Sequence, residues 1–204
     1  MDPATRERLL DAMLAELAAK GYEGISLAET LMVEGIPETD FAAEFASVDE
    51  CLFAAYGRLT ERLAGGVGEA CASAAGEEWP RRVRAGLEAL LEVLAVEPRT
   101  ARVLTRSFPS IGPEAHRLYL DFAEGFAPML REGREFSGMG EELPADVELL
   151  AVGAAEAIVF EEIEAGRTAQ LPALGPEILF SVLVSFLGPD AAAAAMATAK
   201  GAAG

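Results

Sequence analysis

Apolar residues recur along the first twenty positions at helical spacing, as Leu9, Leu10, Met13, Leu14 and Leu17, with Arg6, Glu7, Asp11 and Glu16 falling largely between them. Positions three and four apart share one face of a helix, so this pattern predicts an amphipathic helix over Thr5 to Lys20, ended by Gly21. After a turn through Tyr22, Ser26 can offer its hydroxyl to the unpaired N–H groups of a second helix that runs to about Glu34. Gly35 supplies the permissive backbone of a tight turn. Pro37 suits the first turn of a third helix ending near Phe45. Ser47-Val48-Asp49-Glu50 has capping-box spacing and predicts the start of a long fourth helix. Its apolar residues Leu52, Phe53, Tyr56, Leu59 and Leu63 keep the helical period until Gly65, Gly66 and Gly68, where the helix is expected to loosen.

Breakers mark out the rest. Helices are predicted from Trp79-Pro80 to Val96, briefly after Pro98, and from Pro113 to about Phe136 with a kink at Pro128. Pro144 to Ala165 is apolar on nearly every side. Pro176 to Leu187 carries Ile178, Leu179, Val182, Leu183 and Phe186. A helix apolar all round is buried all round, which near the end of a chain points to a second subunit. The alanine-rich tail from Asp190 reads as a weak final helix or a frayed end. Alternating strand patterns are missing, so the fold class is all-α.

The chain has 204 residues and a formal net charge of -18. A surface that binds nucleic acid normally clusters Lys and Arg to displace counterions, yet up to Thr60 the only basic residues are Arg6, Arg8, Lys20 and Arg58. Cys51, Cys71 and a single histidine, His116, offer neither a zinc-site spacing nor a disulfide framework. No metal or cofactor is expected, and no catalytic residue is assigned, because no E-x-x-H pair and no Ser-His or Cys-His arrangement is present. The charged N-terminus and the interruption of the apolar stretches by Glu156 or by Gly188-Pro189 imply a cytoplasmic protein with no membrane partner.

Three short helices followed by a long one, with Ser26, Gly35, Ile36, Phe41, Phe45, the Ser47-Val48-Asp49 start and Tyr56 in this register, resemble the helix-turn-helix domain of the TetR family of bacterial transcriptional regulators. Farther on, EPRTARV, IGPEAH, Gly133-Arg134 and SFLGPDAAA resemble the ligand-binding region of the family. The resemblance implies a DNA-binding-like domain over 1–46 and a helical ligand-binding and dimerisation domain over 47–204. It also implies DNA-facing positions at Ser26, Pro37, Glu38, Thr39, Asp40, Ala42, Glu44 and Val48.

At those positions the chemistry departs from the family pattern. Glu38 and Asp40 stand where a basic or small polar residue and a threonine are usual, Ala42 where a tyrosine is, Glu44 where a histidine is, and Val48 where a lysine is. Pro37 lacks an N–H, and the two acids already occupy the positive end of the helix, where they repel phosphate.

In the larger domain, Phe108, Tyr119, Phe122, Phe126, Met129, Glu156 and Phe160 are candidate lining for a mainly apolar ligand. Leu149, Val152, Gly153, Ala154 and Ala157 on one helix, with Leu179, Val182, Leu183 and Phe186 on the next, are candidates for a homodimer interface. Two functions remain open: a ligand-responsive homodimeric regulator, and a sensor or interaction scaffold of the same fold that has lost DNA binding.

Overall fold

A computed structural model describes residues 1–138 and 142–202. Among them every regular element is helical. The chain divides into two compact units, Met1–Arg62 with Arg99–Tyr119, and Leu63–Pro98 with Leu120–Gly204. The expected boundary after Ala46 therefore does not coincide with the division between units, and the first unit also takes in a later segment.

In the first unit, α1 spans Pro3–Lys20 and starts two residues before the predicted Thr5, because the Asp2 carboxylate accepts from the Ala4 and Thr5 N–H groups. It buries Leu9, Leu10, Met13, Leu14 and Leu17. A single 3-10 turn, Tyr22–Gly24, leads to α2, Leu27–Glu34, whose first turn is capped by Ser26 Oγ accepting from Glu29 N–H. Gly35 closes α2 at φ 67°, the left-handed conformation that favours glycine. Pro37 caps the start of α3, Glu38–Glu44, which ends at the extended Phe45.

The next helix, α4, covers Val48–Ser73. Ser47 Oγ accepts from Glu50 N–H at 3.1 Å, while the Glu50 carboxylate reaches back to Ala46 N–H at 2.6 Å. The glycines at 65, 66 and 68 do not end this helix. Leu63 and Val67 beside them are buried, so packing outweighs a helix cost of about 1 kcal/mol per glycine.

The inserted segment of the first unit begins with α6, Pro98–Arg102, and continues as a π-helical turn, Val103–Ser107, in which Phe108 N–H donates to Val103 C=O. That wider turn delivers the Phe108 ring onto Tyr56, stacked with centroids 3.7 Å apart, with Phe53 edge-on at 5.8 Å. α7, Pro113–Glu124, follows a 3-10 turn at Pro109–Ile111.

In the second unit, α5, Trp79–Val96, crosses the end of α4 where Gly86 lies against Val67 and the Cys71 thiol. The helix predicted as one piece from Pro113 to Phe136 is three: α7, α8 at Ala127–Leu130 and α9 at Gly133–Phe136. Gly125, just past the end of α7, and Pro128, in the first turn of α8, mark the first break, and the second falls at Arg131–Glu132. α10, Val147–Glu164, and α11, Gly175–Ala202, supply most of the core. Gly188, at φ 76° before Pro189, interrupts α11, and the alanine-rich tail beyond it stays helical with Ala192 and Ala199 buried. By length and composition Thr168–Ala199 could cross a membrane. Here Leu179, Val182, Leu183 and Phe186 instead pack with Trp79, Leu130, Val147 and Ala151.

Candidate functional site

Two regions bear on function, one in each unit. In the first, α2, the turn at Gly35 and α3 form a helix-turn-helix arrangement with a definite inside and outside. Thr30, Leu31, Ile36, Phe41 and Phe45 are buried, and Phe41 and Phe45 contact each other at 5.6 Å between ring centroids. Periodicity then turns Glu38, Thr39, Asp40, Ala42 and Glu44 outward, and all five are exposed. This is the surface that the family resemblance implies for DNA.

Its chemistry is acidic. From Gly21 to Glu50 there are eight acidic residues and no basic one. The Arg6 guanidinium donates to Glu44 Oε1 at 2.9 Å and lies 5.5 Å from the Phe45 ring centroid. Arg8 pairs with Glu34 at 3.5 Å. Ser26 spends its oxygen on the α2 cap, and Val48 is half-buried at the start of α4. Tyr22 donates to Asp49 at 2.6 Å, tying the turn before α2 to α4, and this bond raises the tyrosine's pKa.

Two features of this unit escaped the sequence reading. Met32 and Val33, on the outer face of α2, are 75% and 77% exposed, although α2 reads as apolar and short. Arg99, Arg102 and Arg106 are exposed along the α6 and π-helical segment, so the unit does carry a cationic stretch, outside the helix-turn-helix. The i, i+3, i+7 spacing of those arginines was the available signal.

The second region concerns ligand and dimer. The proposed lining is divided between the two units. Phe108 is wholly buried in the first unit's aromatic stack, where it is a core residue, and Tyr119 belongs to that unit too. In the second unit Phe122 and Phe126 meet edge-on at 5.1 Å, while Met129 and Phe160 are 36% and 41% exposed. Glu156 is half-buried on α10.

Of the proposed interface, α10 presents Leu149, Gly153, Ala154 and Ala157 to solvent together with Leu150 and Phe160, and Val152 is half-buried. A Cβ on Gly153 would meet nothing within 4 Å. The α11 residues are a correction. Leu179, Val182, Leu183 and Phe186 face inward, because Trp79 and the start of α10 claim that side of the helix.

An ion pair unforeseen from sequence closes this unit. Arg134 donates through Nε to Glu148 Oε1 at 2.5 Å, and through Nη2 to Glu148 Oε2 at 2.8 Å and to the Pro144 and Ala145 carbonyls. The hydrogen bonds from Arg134 hold the buried Glu148 carboxyl below its ordinary value. Burial pushes the Cys51 thiol up to about 12 and raises Cys71, which leaves neither an activated nucleophile. Among the described residues no group of His, Cys, Asp and Glu is placed to hold a metal ion.

No family model and no curated protein matches the sequence. Among solved structures the fold is similar to the fatty acid degradation regulator FadR from Bacillus halodurans. The TM-score is 0.74 at 15% identity, over 86% of this chain and 96% of that one. At that identity the likeness concerns the fold.

Proposed function

We propose that the chain is a ligand-responsive, homodimeric transcriptional regulator of TetR type. The observation that carries this reading is the order α1, capped α2, Gly35 turn, α3 and long α4, with one face of α3 fully outward. The fold shared with a regulator over most of both chains supports it. The exposed Leu149, Leu150, Gly153, Ala157 and Phe160 on α10 give a second copy an apolar face to cover. A small apolar ligand suits the paired Phe122 and Phe126 rings of the second unit, and the regulator of the same fold is named for fatty acid degradation.

A thermal-shift screen of small apolar molecules tests the sensing half. A ligand that binds only the folded state raises Tm by mass action. If Phe126→Ala leaves calorimetric binding of the best hit unchanged, the ligand sits elsewhere.

A second reading keeps the sensor and gives up DNA. It is favoured by the outward Glu38 and Asp40 and by the engagement of Arg6 with Glu44. Fluorescence anisotropy with the chain's own promoter region separates the two readings.

A further inference from the structure

The outer face of α2 and α3 combines two properties that seldom share an exposed surface. On α2, Ala28, Glu29, Met32 and Val33 point outward at i, i+1, i+4 and i+5, and Met32 and Val33 are among the most exposed large apolar side chains of the molecule. Across the three-residue turn Gly35–Pro37, α3 adds Glu38, Asp40, Ala42 and Ala43, also outward. Leaving two large apolar groups in water beside a reverse turn gains nothing for the fold, since Leu31, Ile36 and Phe41 already supply its core.

We infer that this face docks a cationic amphipathic helix of another protein, with Met32 and Val33 as apolar anchors and Glu38 and Asp40 as the acidic rim. The inference rests on the second reading above, in which DNA binding has been lost. Charge decides the occupant. Lys20, Arg8 and Arg6 of α1 pair with Glu29, Glu34 and Glu44, but the segment from Gly21 to Glu50 itself carries eight acids and no base, and its outward Glu38 and Asp40 repel duplex DNA and an anionic bilayer at contact range. A second copy bringing this same face to it sets acid against acid at contact range. A Lys- or Arg-rich helix is instead drawn in by the same field, and its apolar side finds Met32 and Val33. The acids give rate and orientation, and the apolar anchors give the lifetime of the complex.

The probe is a fluorescent peptide of about 18 residues, roughly five helical turns, with leucine on one face and lysine on the other. Anisotropy is read at physiological salt against the full chain. Met32→Gln with Val33→Gln changes no charge and places a good helix former at both sites, which lie outside the core, so folding is checked by a melt that is not lowered. This pair should weaken binding by about tenfold or more, as expected when anchors are lost. Glu38→Gln with Asp40→Asn should weaken it and flatten its salt dependence. Glu92→Gln with Glu124→Gln, acids of the other unit, should leave it unchanged.

The proposal is overturned if no binding is seen, if the Glu92 and Glu124 changes matter as much as those on α3, or if the Met32 and Val33 changes do nothing. Salt-sensitive self-association abolished by the same Met32 and Val33 changes, or by Arg99→Gln with Arg102→Gln, would give the face to a second copy and overturn it as well. Promoter binding through α3 would remove the reading beneath it. Absence of both DNA and peptide binding would remove only this inference.

Discussion

A methyl group on Gly133 would overlap the Trp79 ring and come within 2.8 Å of Phe186 Cδ1. The indole is wholly enclosed, donating from Nε1 to the Met129 carbonyl at 3.4 Å and lying against Phe136 and Phe186 at 5.9 and 5.3 Å between centroids. Neither ring can give way cheaply. Gly133→Ala should therefore lower stability by about 1–3 kcal/mol through overpacking, read from denaturant midpoints. Gly57 is the contrasting case, a helical glycine on α4 with nothing within 4 Å of its would-be Cβ. Gly57→Ala should raise stability by roughly 0.5–1 kcal/mol, because only the backbone entropy of the helix changes. Two equal chemical changes with opposite signs test the packing described here. Gly133-Arg134 stood out in the sequence as a family-like pair, but the reason for its glycine lies on the helices that carry Trp79 and Phe186, far off in the chain, where no local pattern can show it.

Among the elements, legibility followed locality. Ser26, Gly35, Pro37 and the Ser47–Glu50 box are signals carried by neighbouring residues, and α1 to α3 and the start of α4 lie within a few residues of where they predict. A kink at Pro128 was legible from the proline itself, whereas the second break of Pro113–Phe136, at Arg131–Glu132, and the persistence of α4 through its glycines carry no local signal. Which side of α11 faces inward was not legible either, since its apolar residues cover most of the circumference.

The link from Arg134 to Glu148 belongs to the same class, and it makes a testable statement about pH. A carboxyl whose pKa is lower in the folded than in the unfolded chain contributes stability that is complete above its ordinary value of 4.5. That contribution fades as pH falls through the lowered folded value. Glu148→Gln should consequently reduce Tm most near pH 7 and least once pH has fallen below the lowered folded value, where the native carboxyl is itself protonated. Parallel melting curves of the two proteins across this range would show that the pair does not hold the α10 start. For the outward side of α10, Ala154→Arg should place a charge in the proposed subunit contact and yield monomers. Sedimentation that finds an unchanged dimer would assign the contact to another face.

At the scale of the whole molecule, charge is the property that sequence and structure share most directly, and its distribution matters more than its sum. The first unit holds 14 acidic and 9 basic residues, so much of the excess lies in the other unit, 20 against 7. Repulsion of DNA is therefore a local matter of Glu38, Asp40 and Glu44 at contact range, since more distant charges are screened beyond about 8 Å at physiological salt. Under the proposed dimer, we expect no measurable binding to random duplex at that salt. Glu38→Lys, Ala42→Tyr, Glu44→His and Val48→Lys together should reverse this. The first and last changes add two cations per head, and the third releases Arg6 from its bond to Glu44. Three cationic contacts on each of two heads would neutralise about six phosphates, for a slope of log K against log salt near about -5. The same variant with Arg99→Gln and Arg102→Gln should keep that slope, because those arginines lie outside α2 and α3. A slope that collapses with the arginine changes would place DNA on the α6 segment. Tight promoter binding with a steep slope in the unaltered chain would show that its acidic α3 does read DNA.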